Sequence, residues 1–565
     1  MESVWLKYYP AGVPAEIDIF RFASLKDMFE HSCRQYAQRP AFTNMGVALT
    51  YGELDRLSRN FGVYLQQVLG LRRGDRVAIM LPNLLQYPVA LFGALRAGLV
   101  VVNVNPLYTA RELQHQLADS GAVAIVVLEN FAHTLQEVVA TTTVRHIIST
   151  QVGDLFPPLR RCLVNFAIKR VKRMVPRWQL PGAMDLNTAL QRGAGQTFTD
   201  VPLTHEDIAF LQYTGGTTGV AKGAILTHGN MVANVEQTAA WIGGTLKEGA
   251  EVVVTPLPLY HIFSLTANLL TFVRLGANNV LITNPRDIPR FVHELRKTRF
   301  SAITGVNTLF NLLLNAPGFD RVRQANADVL KVAVAGGMAV QRTVAQRWQQ
   351  AMGVPLIEGY GLTEASPIVC ANPLEAKAFS GKIGMPLPST SVAIQDEAGR
   401  ELPPGEVGEI CVKGPQVMRG YWNMPEETSR VLGPDGWLRT GDMGVMDERG
   451  SIQFIDRRKD VIVVSGFKVY PTEIEDVVML HPGVQEAGAV GVPDERSGEA
   501  VKLYLVKKDP ALTTETVMAH CRANLTAYKV PKYVEFRETL PKSNIGKILH
   551  RTLRDENAAS PGTRA

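Results

Sequence analysis

YTGGTTGVAKG, residues 213–223, holds four glycines, three threonines and one lysine in eleven positions. A run this flexible costs chain entropy to hold in place, so it is expected to hold something. Backbone N–H groups of a glycine-rich loop can wrap a phosphate, threonine hydroxyls add donors, and Lys222 adds a compact positive charge. The loop follows apolar AFLQY (209–213) and precedes AILTHGNMVANV (224–235), a setting of strand, loop, then strand or helix that suits such a cradle. It is not a Walker loop, which needs Gly-Lys-Ser/Thr. Here Ala221 precedes Lys222 and Gly223 follows it, so no hydroxyl stands beside the lysine for magnesium. The bland alternative is a surface turn, but such turns rarely need so many threonines and glycines together.

Outward from the loop, short apolar β-branched runs alternate with longer mixed stretches. GDRVAIML (74–81), VAIVVL (123–128), VRHIIS (144–149), AEVVVTPLP (250–258) and VLKVAVAG (329–336) predict strands. ELDRLSRNFGVYLQQVLG (53–70) and YPVALFGALRAG (87–98) predict helices. The alternation predicts an α/β fold in layers with largely parallel sheets. After about residue 380 turns crowd in (DEAGREL, PPGEVGE, GPDGW, DERGS), and the chain reads as an antiparallel β subdomain. The charged knot IDRRKD (455–460) between two hydrophobic strands marks a boundary. Beyond it, YPTEIEDVVMLHPGV, VKLYLVKK and TETVMAHCRANL read as a small α+β unit, and NAASPGTRA reads as disordered.

The chain's 565 residues are too many for one core, so at least two domains are expected. A net charge of +6 suits anionic partners such as phosphates or anionic lipid and is too weak to argue for nucleic acid. The five cysteines form no C-x-x-C pair, which argues against a disulfide framework or zinc site and for a reducing compartment. No basic-then-apolar leader is read at the N-terminus. Residues 252–272 carry no charge apart from His261, but Pro256 and Pro258 break them; a buried strand, a loop and a helix are expected there rather than a membrane span.

The 213–223 stretch resembles the phosphate loop of the adenylate-forming superfamily: acyl-CoA synthetases, luciferases and peptide-synthetase adenylation domains. It departs mildly at Gly216, where a serine is common, and at Ala221, where a proline is. Further signatures follow in the family's order: LTYGEL (49–54), RAGLVVVNVNPLY (96–108), PLYHIFSL (258–265), AVAGGMAV (333–340), EGYGLTEASP (358–367), WLRTGDMG (437–444), IDRRKDVIVVSGFKVYPTEIE (455–475) and PKSNIGKILHRTLR (541–554). The resemblance spans nearly the whole chain. It implies a large N-terminal domain, 1–456, of two layered α/β subdomains plus a β-rich subdomain from about 380. A hinge at 457–461, a small mobile α+β domain at 462–553 and a disordered tail at 554–565 would complete it.

The resemblance also implies a two-step reaction. A carboxylate attacks the α-phosphate of ATP, giving acyl-adenylate and pyrophosphate; a thiol, that of CoA, then displaces AMP. Two anions meet in the first step, so charge must be neutralised. Magnesium is the implied neutraliser, held by Glu364 with Thr214. Thr363, Thr214 and Thr217 would hold phosphate oxygens, and Lys547 would bridge α-phosphate and carboxylate. The implied ATP set is Tyr213, Thr214, Gly215, Gly216, Thr217, Thr218, Gly219 and Lys222 in the loop, Gly336, Gly337, Gly359, Tyr360, Gly361 and Thr363 toward the adenine and phosphates, and Asp442 and Arg457 at the ribose. Lys459 occupies the hinge position, and Gly466, Phe467 and Lys468 would line the CoA path after the small domain swings.

His261 stands where the family's acyl pocket begins, near the carboxylate, or is a satisfied core histidine. FSLTANLLTFV (263–273) and VNTLFNLLLN (306–315) are tunnel wall or ordinary core; periodicity does not separate the two. LRRCLVNFAIKRVKRMVPRW (159–178) holds seven basic residues, no acid and a terminal Trp, the pattern of a helix lying on anionic membrane, or of a solvated basic helix. The whole most resembles bacterial long-chain fatty acid–CoA ligases. The implied partners are a fatty acid, ATP and CoA, with no nucleic acid, reversible contact with a membrane, and a homodimer left open. The implied location is the cytoplasm, peripheral on the inner face of the inner membrane. Medium-chain or aryl acid–CoA ligases, and fatty acyl-AMP ligases that load a carrier protein, are the rival readings.

Overall fold

Strands buried on both faces define the centre of the molecule. Val100–Asn103 and Ala124–Leu128 are buried at every position, as strands flanked by helices on both sides must be. The structure, a computed structural model, describes residues 3–214, 221–465, 467–494, 496–543 and 546–559. Among the described residues an eight-stranded sheet runs in the order Gly420–Tyr421, Lys222–Thr227, Ile208–Thr214, Val100–Asn103, Arg76–Met80, Ala124–Leu128, His146–Thr150, Met184–Asp185. Its interior pairs are parallel; Ile208–Thr214 and Lys222–Thr227, which flank the glycine–threonine stretch in sequence, pair antiparallel.

A second sheet is built on five parallel strands, Asn278–Leu281, Val252–Thr255, Ala302–Gly305, Val332–Ala335 and Leu356–Gly361. Ile368–Ala371 and Met385–Pro386 extend it antiparallel on one side; on the other, Pro40–Asn44 adds parallel to Asn278–Leu281 and Val47–Thr50 pairs antiparallel with Pro40–Asn44. Helices start where the sequence supplies caps. Thr50 with Glu53 closes a capping box on Tyr51–Val63, and Thr227 with Asn230 does so on His228–Ile242. The second helix follows directly on Lys222–Thr227 and is buried along nearly its whole length. Residues 252–272 resolve as expected into the strand Val252–Thr255, a loop, and the helical turns Ser264–Leu270 and Thr271–Arg274. No helix among the described residues is long and apolar enough to cross a membrane.

Four antiparallel strands follow, Ser391–Gln395, Val407–Lys413, Leu438–Met446 and Ile452–Arg457. Sheet membership then changes: Ile462–Val464 belongs to a separate sheet with Phe467–Val469, Val484–Asp494, Gly498–Lys507 and Tyr533–Arg537, covered by helices Pro471–Met479 and Thr514–Asn524.

Two expectations need correction, and one left open is resolved. The segment read as a disordered tail begins as helix, since His550–Ala559 is helical; Leu553 is fully buried and Arg554 pairs with Asp460 at 2.7 Å. Residues 560–565 lie outside the described ones. The basic helix stops at Val171, because Arg173 turns to φ +51°. Trp178 therefore turns inward, against the core of the first sheet, rather than outward. The segment 306–315 is core: Leu309, Phe310 and Leu313 are buried against Trp348 and its neighbours.

Candidate active site

One cavity of about 1650 Å³ gathers most of the residues singled out from the sequence. Tyr213, Thr214, Lys222, His261, Gly336, Gly337, Gly359, Tyr360, Gly361, Thr363, Glu364, Asp442, Arg457, Lys459 and Lys547 all line it. Gly215, Gly216, Thr217, Thr218, Gly219 and Gly466 lie outside the described residues. Phe467 and Lys468 are described and exposed, and they do not line the cavity.

Sheet register explains one corner. Asp442 and Arg457 are directly paired across strands Leu438–Met446 and Ile452–Arg457, so a carboxylate and a guanidinium stand side by side at 3.7 Å. Tyr360, at the end of Leu356–Gly361, donates its hydroxyl to Asp442 at 2.7 Å. The tyrosine ring expected to stack on adenine thus also orients the carboxylate expected at the ribose. Gly337 adopts φ +77°, a conformation that only glycine enters readily.

Lys547 reaches the same corner from the C-terminal unit. The loop that carries it is tight: Ser543 N–H donates to the Lys547 carbonyl at 2.7 Å, and Gly546 N–H to the Ser543 carbonyl at 2.9 Å. Gly546 has φ +84°, and a Cβ on it would meet Thr308 Oγ1 of the N-terminal body at 2.8 Å. Burial pushes the Lys547 amine down to about 8; Arg457 adds to the effect, against the opposing pull of Asp442 and Asp460. His261 is lowered to about 4 by burial, so it is neutral in the physiological range, and its Nδ1 accepts from Phe263 N–H at 3.3 Å.

The wall that carries Lys222 and Glu364 holds partners that sequence reading missed. Tyr421 donates to Glu364 Oε1 at 2.7 Å. Lys222 pairs with Glu427 and sits 5.3 Å over the Tyr421 ring. Tyr213 donates to Asp119. Pro425 and the acids Glu426 and Glu427 do mark a helix start in the sequence, but nothing in their spacing says that this helix docks beside the loop.

The far end of the cavity is apolar. Ala302, Ile303 and Thr304, Val332 and Val334, and Ile357 and Gly359 of three neighbouring strands line it. Opposite them stand Thr238, Trp241 and Ile242 of helix His228–Ile242, with Phe263, Ala267 and Phe272. Of the two apolar segments left open by the sequence, 263–273 is therefore the wall.

A lysine carried by the C-terminal unit, a carboxylate–guanidinium corner and apolar walls thus meet in one cavity. The AMP-binding enzyme family matches residues 29–422, and the AMP-binding enzyme C-terminal domain matches residues 473–547; the chain belongs to the AMP-binding enzymes. It is 58% identical over 556 residues to the long-chain-fatty-acid–CoA ligase of Salmonella typhimurium, with 98% of each chain covered. It is 53% identical to the long-chain-fatty-acid–CoA ligase of Haemophilus influenzae, with 99% of each covered. The fold matches the anthranilate CoA ligase AuaEII in complex with anthranoyl-AMP with a TM-score of 0.84 at 22% identity, over 96% of this chain and 99% of that one.

Proposed function

We propose that this chain activates long-chain fatty acids to acyl-CoA through an acyl-adenylate, consuming ATP and CoA and releasing AMP and pyrophosphate. The observation that carries the reading is the continuity of one cavity from Lys547 and Asp442 to the apolar chamber. The acid's tail lies along the chamber and its carboxylate stops beside His261. A neutral histidine there adds no second charge to the reacting anion. Lys547 faces carboxylate and α-phosphate together; one charge at about 3 Å is worth roughly 5 kcal/mol at an effective dielectric near 20, an upper guide. Asp442, held by Tyr360, takes the ribose hydroxyls, a task suited to its two oxygens.

Among the described residues no cluster of three or more His, Cys, Asp or Glu could hold an ion unaided. Glu364 with the Thr214 hydroxyl is a hard oxygen set that fits magnesium once phosphate oxygens complete the shell. The ion would supply charge neutralisation on the triphosphate. Glu364 keeps its second oxygen free of Tyr421 for that purpose.

For the second step the unit beyond the 457–461 hinge swings, taking Lys547 out and bringing Phe467 and Lys468 to the CoA path. The enzyme works in the cytoplasm at the inner face of the inner membrane. The support is an outward apolar face, Leu159, Leu163, Phe166, Val171 and Met174, each more than half exposed, set among Arg161, Arg170 and Lys172. ATP- and CoA-dependent thioester formation across saturated acids of increasing length tests the reaction: a preference for benzoate or octanoate over palmitate would refute it. Flotation with anionic and zwitterionic vesicles tests the membrane face, which requires binding to the anionic ones.

A further inference from the structure

The chamber has a definite end. Helix His228–Ile242 turns Thr238, Trp241 and Ile242 toward it, at the i, i+3, i+4 spacing of one helical face. Ala239, Ala240 and Gly243 face the other way, into a second pocket of about 490 Å³. Leu246, anchored by its N–H to the Ile242 carbonyl at 3.1 Å, lines both cavities. It is 5% exposed.

The two spaces that Leu246 separates differ in kind. On the chamber side the walls are apolar and fixed. Trp241 is pinned by its indole N–H to the Asn372 carbonyl at 3.1 Å and stands edge-on to Tyr9 at 5.4 Å, so it does not swing aside. On the other side Arg274 bonds to Glu236 and to Glu248, both at 2.7 Å, and Arg21 approaches Glu236 at 3.6 Å. That pocket opens to solvent past exposed Pro14, Glu16 and Asp18. A methyl-ended tail entering it would dry buried ion pairs that cannot be repaid by a hydrocarbon.

We infer that Leu246 is the partition that sets the longest acid this enzyme accepts, by closing the acyl chamber and insulating it from the Arg274 ion-pair pocket. The inference rests on reading the chamber as the acyl site. Ala267, on the chamber side alone, narrows the same space when enlarged.

The experiment compares kcat/KM for octanoate, palmitate and behenate in the wild type, Leu246→Ala, Leu246→Val and Ala267→Leu. Leu246→Ala is expected to raise the behenate-to-palmitate ratio by about tenfold or more, as one methylene in an apolar pocket is worth roughly 10–200-fold. Leu246→Val is expected to do so less, and Ala267→Leu to lower the palmitate-to-octanoate ratio. The ratios are internal, so partial loss of folded enzyme does not move them, and Leu246→Val carries the test if the alanine variant fails to fold. Unchanged ratios, or an equal fall at every length, overturn the partition. A wild type that disfavours palmitate overturns the functional reading instead, whatever the variants do.

Discussion

The N-terminal body and the C-terminal unit are held together by different physics. Among the described residues the body's apolar clusters run from Trp5 to Ile452, and those of the C-terminal unit from Ile462 to Leu553, with no residue in common. What joins them is polar. Thr472 N–H donates to Asp456 at 2.9 Å, Arg554 pairs with Asp460 at 2.7 Å, and Gly546 abuts Thr308. A shared core resists sliding, whereas a joint of hydrogen bonds and charges exchanges for water at small cost. On the proposed mechanism the body holds the acid and the nucleotide, and the unit that swings carries the lysine.

The largest effect follows from that division. Lys547→Ala is expected to slow adenylation by roughly 10²–10³-fold, the usual cost of removing one preorganised charge or donor from a reacting centre. Thioester formation from supplied acyl-adenylate is expected to survive. Pyrophosphate exchange and single-turnover thiolation separate the two, and equal loss of both would break the comparison. Gly546→Ala comes next. Its φ of +84° and the 2.8 Å approach to Thr308 must both be relieved, at about 1–2 kcal/mol for the left-handed backbone alone, so adenylation is expected to fall about tenfold. Thr308→Ala in the same chain should return part of it; no rescue would mean that the two parts do not meet there during catalysis.

The joint also titrates. Glu358, across the joint on the body, is raised to about 8, by burial first and with Asp476 adding to it. Backbone donors pull Glu358 the other way, and His550 sits 2.6 Å from Glu475. Glu358, raised where the C-terminal unit meets the body, stabilises that arrangement while protonated. Its contribution is full at acid pH, below the ordinary carboxylate range, and is lost as pH rises through about 8. Lys547 loses its charge near 8 as well, so adenylation is expected to decline on the alkaline side for two reasons. Glu358→Gln removes one of them, and the decline should then begin at higher pH, set by Lys547 alone. A limb that stays put assigns it wholly to the lysine.

Much of this was readable in the sequence because it depends on local chemistry. The loop's glycines and threonines and the β-branched runs each act over a few residues. Pairings between distant segments were not readable. Tyr421 with Glu364, 57 residues apart, and Lys222 with Glu427, 205 apart, depend on a strand pairing that no spacing announces. The two apolar segments 263–273 and 306–315 looked alike for the same reason: burial decides which faces a void, and periodicity reports only that one face is buried. The basic stretch misled at Trp178 because a single left-handed residue, Arg173, ended its helix.

The smallest expected effect lies farthest from the cavity. Phe467 is 57% exposed and stacked on Tyr528 at 4.8 Å, and Lys468 beside it is exposed. In the arrangement that brings Lys547 to Asp442, neither touches the nucleotide, so Lys468→Ala is expected to leave the adenylation rate within about twofold, as surface substitutions usually do. If the C-terminal unit swings as one body on its own core, the same residue meets the CoA phosphates in the second step. Losing one screened surface charge there costs up to about 1 kcal/mol, so KM for CoA should rise up to about fivefold. The two half-reactions measured on one variant then read opposite sides of the swing. A change in adenylation with none in CoA dependence would mean that this strand serves the first arrangement, and that the unit does not turn it toward the thiol.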